Sequence, residues 1–206
     1  MPPEFIYFDI GNVLLHFDFR QAARQMAEVA GCDLQTIHQA LVDPDLQYRY
    51  ETGAISSRQF YDIVCERIGS QPPYEEFTYA AAAMFTLNMS IVPLVHALSA
   101  AGYRLGLLSN TNDIHWEYFA NGRYAIVPHS FEQWVLSYRL GTMKPEPAIF
   151  QHAIEMAGVA PERIFYLDDM PGHVAAAQGL GIDAHHYTTT AALAHELRAR
   201  GLRFNY

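Results

Sequence analysis

Phe5-Ile-Tyr-Phe-Asp-Ile-Gly-Asn-Val13 is the stretch on which the reading of the fold turns. Four strand-forming apolar residues run without interruption and stop at an acid, Asp9, two residues before a glycine, Gly11. A half-exposed strand would alternate polar and apolar positions; an unbroken run of this length reads as a strand buried on both faces. Three later stretches repeat the form: Arg104-Leu-Gly-Leu-Leu108 before Ser109, Trp134-Val-Leu136 before Ser137, and Ile164-Phe-Tyr-Leu167 before Asp168. Each gives way to polar residues and then to a helical pattern. Between Glu146 and Gly158, for instance, Ile149, Phe150, Ala153, Ile154 and Ala157 share one face at helical spacing. Strand, polar turn and helix in repetition imply right-handed βαβ units, hence an α/β fold built on a parallel sheet with helices on both faces.

The stretch from about residue 19 to 90 behaves differently, with amphipathic helical segments and no convincing strand. Ala23, Met26, Ala27 and Ala30 form a stripe that ends at Gly31, and Ser56 with Gln59 fits a capping box opening a helix that closes near Gly69. The expected organisation is an α/β core of residues 1–18 and 91–206, interrupted by an all-helical cap of residues 19–90. A chain of 206 residues is long enough for one good-sized domain carrying such an insertion.

Composition narrows the functional classes. Thirteen basic against 22 acidic residues give a formal charge of -9, and no run of Lys or Arg offsets it. A non-specific polyanion binder needs basic patches to replace phosphate counterions, so nucleic acid is not an expected partner. The apolar N-terminal stretch is broken by Asp9 and lacks a basic leader, so it does not read as a signal peptide. No apolar run approaches the roughly 20 residues that cross a bilayer. Cys32 and Cys65 have no metal-ligand spacing and read as reduced thiols, and the cytoplasm is the expected location.

Ligands of an open parallel sheet bind outside the carboxyl ends of the strands. Three of the inferred strands end there in reactive groups: Asp9, then Ser109-Asn110-Thr111, then Asp168-Asp169, with Lys144 in the Gly141-Thr-Met-Lys-Pro145 loop nearby. A carboxylate can attack phosphorus and split one hard hydrolysis into two easier steps. It repels a phosphate, so a cation must stand between them, and Mg2+ suits a site of one or two carboxylates plus phosphate oxygens. Asp9, Asp168 and Asp169 supply such oxygens, with the Gly11 carbonyl as a backbone ligand. Ser109, the N–H groups after it and Lys144 suit the remaining phosphoryl oxygens. The helix expected near Gly172 points its positive end the same way.

Phe8-Asp-Ile-Gly-Asn-Val13, Leu107-Leu-Ser-Asn-Thr111, Met143-Lys-Pro145 and Tyr166-Leu-Asp-Asp169 resemble the four ordered motifs of the haloacid dehalogenase-like hydrolases. The likeness spans essentially the whole chain and places the helical insertion where that superfamily carries a small cap on a Rossmann-like core. The first motif, with Leu167-Asp168-Asp169, resembles a branch of bacterial sugar-phosphate phosphatases that includes α-D-glucose-1-phosphate phosphatase. The resemblance implies Asp9 as nucleophile and metal ligand, Gly11 as a carbonyl ligand to Mg2+, and Ser109 and Asn110 as phosphate binders. It makes Lys144 the charge-neutralising lysine and Asp168 the second metal carboxylate, assisted by Asp169. The implied activity is phosphate removal from a small metabolite, a sugar phosphate such as glucose 1-phosphate.

The sequence departs from the pattern at Gly11, where most phosphatases of the superfamily carry the acid that protonates the leaving oxygen. That help is worth about 10²–10⁴-fold. His16 and Asp18 follow closely and are candidate substitutes; the bland reading makes both solvated loop residues. His173 could touch Asp169 or the phosphate site but reads first as a helix-surface histidine, His185 and His186 read as structural, and Trp116 and Trp134 as core. Tyr48, Tyr50 and Glu51 sit ahead of Gly53 in an expected cap turn that could face the site. Two other readings compete. A 2-haloacid dehalogenase tolerates Gly11 but leaves the acid pair without a metal to hold, and a non-catalytic binding domain would have kept the fold after losing its acid.

Overall fold

A computed structural model describes residues 2–206. In chain order the elements are β1 (Phe5–Phe8), β2 (Leu15–Phe17), α1 (Phe19–Ala30), α2 (Leu34–Leu41), α3 (Pro44–Glu51), α4 (Ser57–Ile68) and α5 (Tyr74–Ala82). There follow β3 (Phe85–Leu87), α6 (Val92–Ala100), β4 (Arg104–Ser109), α7 (Asp113–Ala120), β5 (Gln133–Leu136) and the single turn α8 (Ser137–Leu140). The chain ends with α9 (Pro147–Ala157), β6 (Ile164–Asp168), α10 (Pro171–Gln178), β7 (Asp183–His186) and α11 (Thr190–Ala199).

Five strands form a parallel sheet in the order β5-β4-β1-β6-β7. The expected α/β architecture is therefore present, with β1 at its centre. Alternate residues of the strands face opposite sides. Ile6, Phe8, Leu105, Leu107, Phe165 and Leu167 enter one apolar core with Leu94, Leu98, Leu193 and Leu197 of α6 and α11. Phe5, Tyr7, Leu108, Ile164 and Tyr166 enter the other with Ile149, Phe150 and Ala153 of α9. Register then decides the site. Phe8 lies opposite both Leu107 and Leu167, so Asp9 and Asp168 leave the sheet at one level and Ser109 one residue beyond.

Helices α1 to α5 bury a third cluster of their own, including Met26, Ile37, Leu46, Tyr50, Val64 and Phe77. The capping box at Ser56 and Gln59 is formed, α1 ends at Gly31 and α4 at Gly69. One feature of this stretch differs from the expectation: β3 pairs antiparallel with β2, His16 opposite Thr86. Three residues are too few to establish a period of two, so the strand left no signal. Trp134 also differs. It sits on the edge strand β5 and is 38% exposed, its ring against the buried Trp116.

Candidate active site

The register brings Asp9, Asp168 and Asp169 together, and one carboxylate oxygen from each lies within 4.8 Å of the others. Lys144 reaches into this cluster from its loop and is 1% exposed. Its ammonium donates to Asp168 Oδ2 at 2.6 Å, to Asp9 Oδ1 at 2.9 Å and to the Leu108 carbonyl at 3.0 Å. All three of its N–H groups are thereby used. With all three acids ionised, two buried carboxylates and the half-buried Asp169 face one ammonium, leaving two negative charges uncompensated. Oxygen ligands with that excess charge suit a divalent cation, so the residues present fit the Mg2+ expected from the motifs.

Burial raises the Asp9 carboxyl to about 6, against the pull of the Lys144 ammonium. Asp168 is equally hidden from water, and burial alone would raise it too, but Lys144 and His173 together hold it well below the usual carboxylate range. The difference follows from donors. Asp168 accepts from Lys144, from the Met170 N–H at 2.8 Å, from the Tyr166 hydroxyl and from His173 Nδ1 at 3.1 Å. Burial opposes the charge on Lys144, yet Asp9 and Asp168 outweigh it and raise the ammonium above its ordinary value.

Four supporting residues correct or extend the sequence reading. His173 is not a surface histidine: it stands in the first turn of α10 with its ring on both Asp168 oxygens. Asn12 adopts a left-handed backbone, φ 52°, and its amide donates to Asp169 Oδ2 at 2.9 Å. Asn is among the few residues that visit this region readily, which is the only sequence trace of the role. Asn110 uses its side chain on the Lys144 backbone, accepting its N–H at 2.8 Å and donating to its carbonyl at 2.9 Å. A phosphate contact from Asn110 must therefore come from its main-chain N–H. Ser137 holds the Thr111 backbone in the same way, 3.0 Å each way.

Above these groups lies a cavity of about 190 Å³ lined by Asp9, Gly11, Asn12, Ser109, Lys144 and Asp169 below and by Phe17, Phe19, Glu51, Met84 and His115 at its upper wall. It shares Phe19, Glu51, Met84 and His115 with a second cavity of about 390 Å³ between α1, α2 and α3. Of the cap-turn residues, Glu51 faces the site, whereas Tyr50 is buried and Tyr48 reaches Glu146 at 3.0 Å. Neither expected proton donor arrives. On β2 the buried Leu15 and the half-buried Phe17 flank an exposed His16, and Asp18 caps α1 by accepting from Arg20 N–H at 2.8 Å. His186 Nε2–H donates to the Asp169 carbonyl at 2.9 Å, while His185 stacks on Phe165.

The sequence pattern of the haloacid dehalogenase-like hydrolases matches residues 5–181. The chain belongs to this family. Among related proteins, this hydrolase is 24% identical over 183 residues to a D-ribitol-5-phosphate phosphatase of Bacteroides thetaiotaomicron, 86% of its own length and 88% of the relative's. It is 27% identical over 158 residues to a glyceraldehyde 3-phosphate phosphatase of Methanopyrus kandleri, 73% and 66% of the two chains. Among solved structures, a Bacteroides thetaiotaomicron family member in complex with magnesium superposes with a TM-score of 0.84 at 27% identity, over 96% of the hydrolase and all of that chain. The same enzyme has been solved with magnesium and inorganic phosphate. A 2-haloacid dehalogenase of Pseudomonas syringae shares the fold at 18% identity, TM-score 0.67, over 98% of the hydrolase and all of that chain.

Proposed function

We propose that this hydrolase is a Mg2+-dependent phosphatase that transfers the phosphoryl group of a small metabolite to Asp9 and then to water. The observation that carries the reading is the cluster of two buried carboxylates, Asp9 and Asp168, and the half-buried Asp169 against the buried ammonium of Lys144, at the level where β1 and β6 leave the sheet. Asp9 is the nucleophile, with Asp9, Asp168, Asp169 and the Gly11 carbonyl as the metal ligands. When bound, the cation neutralises charge between the attacking carboxylate and the phosphate. Ser109, the Asn110 N–H and Lys144 hold the phosphoryl oxygens that the cation leaves free. A dehalogenase needs no cation and would leave this acid cluster without a use. Residues 1–18 and 91–206 are the catalytic core, and residues 19–90 are a cap that shields the reaction from water.

The cavity of about 390 Å³ falls within the range of roughly 300–1,000 Å³ usual for small-molecule pockets. Gln47, Glu51, His38 and Asn112 offer partners for hydroxyl groups, and Phe19, Met26 and Leu41 an apolar wall for a carbon skeleton. A sugar phosphate such as glucose 1-phosphate suits that lining, as do the phosphorylated polyol and triose for which the two relatives are named. Two free cysteines and a net charge of -9 agree with a cytoplasmic enzyme that does not engage nucleic acid. Among the described residues no helix is long and apolar enough to cross a membrane. A panel of sugar phosphates, nucleotides and acyl phosphates with Mg2+ present tests the proposal. Phosphate release led by sugar phosphates is the expected result; no release from any ester would overturn it.

A further inference from the structure

A side chain at position 11 would crowd the aromatic wall beside Asp9. A side chain there would begin 3.0 Å from the Phe17 ring, which packs against Phe19 and Phe85 with centroids 4.8 and 6.2 Å away. An aspartate would have to move that aromatic wall. The leaving oxygen nonetheless needs a proton when it departs as an alkoxide. Apart from Asp9 and Asp169, read above as metal ligands, four titratable side chains line the cavity: Lys144, His173, His115 and Glu51. Lys144 is committed to two carboxylates and a carbonyl, and His173 to Asp168. His115 is held through Nδ1 by the Asn112 amide at 3.1 Å. Burial lowers its ring to about 4, so it is neutral at neutral pH.

Glu51 is different. Among the described residues its carboxyl accepts one hydrogen bond, from Gln47 Nε2, 3.0 Å from Oε1, and Oε2 is left without a protein partner. It is the last residue of α3, where the negative end of the helix dipole disfavours a carboxylate. Burial also raises its carboxyl above the ordinary range, with Lys144 opposing. The turn that carries it is fastened to the core at three points. Tyr48 donates to Glu146 at 3.0 Å, and Tyr50 donates to Asp113 at 3.1 Å, joined there by Ser57. Gly53 packs so closely on the Tyr138 carbonyl that a Cβ would lie 2.2 Å from that oxygen.

Resting on the phosphatase reading above, we propose that Glu51, delivered by the cap, is the general acid and base that Gly11 cannot be. As the bond from Asp9 Oδ to phosphorus forms and the ester P–O bond breaks, the Glu51 carboxyl gives its proton to the leaving oxygen, which departs as an alcohol. The resulting carboxylate then takes a proton from a water whose oxygen bonds to phosphorus. Asp9 is freed, inorganic phosphate leaves, and Glu51 is protonated again. Tying the acid to the cap ties chemistry to closure: a substrate is cleaved only when the cap turn is seated on the core.

The test compares Glu51→Gln with wild type on alkyl phosphates, whose leaving group needs a proton, and on p-nitrophenyl phosphate, whose leaving group does not. For Glu51→Gln, kcat on alkyl phosphates falls by about 10²–10⁴-fold. With p-nitrophenyl phosphate the first step survives and the second does not. A burst of nitrophenol then accompanies accumulation of phosphoenzyme, read by intact-mass spectrometry after acid quench. Glu51→Asp retains an acid and recovers part of kcat on alkyl phosphates, which separates proton transfer from packing should the Gln variant fold poorly. Unchanged kcat, an equal loss on every ester without a burst, or an Asp variant no better than Gln would overturn the assignment. In those cases wild-type turnover leaves the phosphatase reading standing; a wild-type enzyme that releases no phosphate removes both.

Discussion

Lys144 is the residue on which the site depends most for stability. It neutralises part of a buried acid cluster, and breaking such a pair from one side costs about 3–5 kcal/mol because the charge left behind stays buried. Lys144→Met should therefore lower the unfolding free energy by that order in metal-free buffer, measured by urea denaturation. The loss should shrink in saturating Mg2+, since a cation beside the acids replaces the missing charge. An equal loss in both buffers would mean that no cation binds there. Residues placed by their position in the chain were legible: Asp9, Ser109, Lys144 and Asp168 all stand at strand ends or in the loops beyond them. Residues whose role rests on a tertiary partner were not. His173 looks like any helix histidine until Asp168 is seen beneath it, and Asn12 reveals itself only through its backbone. Glu51 was one of three cap-turn residues, and only the folded chain shows which of them faces inward.

At the scale of the element, the cap turn between α3 and α4 must lie flat on the core. Gly53 has φ +70°, and any Cβ there meets the Tyr138 carbonyl. Gly53→Ala should lift the turn and lower kcat/KM by up to about 10²-fold, the cost of displacing a catalytic group by an ångström. Gly31→Ala is the control. Its φ of +67° imposes a similar backbone strain, about 1–2 kcal/mol, in open space away from the core. It should lose stability and keep kcat/KM, and equal kinetic losses in the two variants would refute the docking argument. The long elements were readable because four buried strands and several amphipathic helices carry clear periods. The β2–β3 ribbon was not: without the strand, His16 seems as free as Phe17 to face the site. The alternation of β2 turns Phe17 inward and His16 to solvent.

At the scale of the whole molecule, the parallel sheet sets Asp9 and Asp168 level with Asp169 beside them, and residues of the helical insertion line a cavity above them. The α/β core and the helical insert follow from hydrophobic patterning alone, whereas the identity of the leaving group depends on how cap side chains converge, which patterning does not encode. Everything functional in the molecule assumes that the acid cluster holds one divalent ion while Asp9 attacks. Phosphate release measured against free Mg2+, from EDTA-buffered zero upward, tests this most directly. No turnover is expected at zero, then a saturating rise to a single plateau, and at about 100 times the dissociation constant a stabilisation of about 2.7 kcal/mol by the same ion. Undiminished phosphate release in EDTA would contradict it.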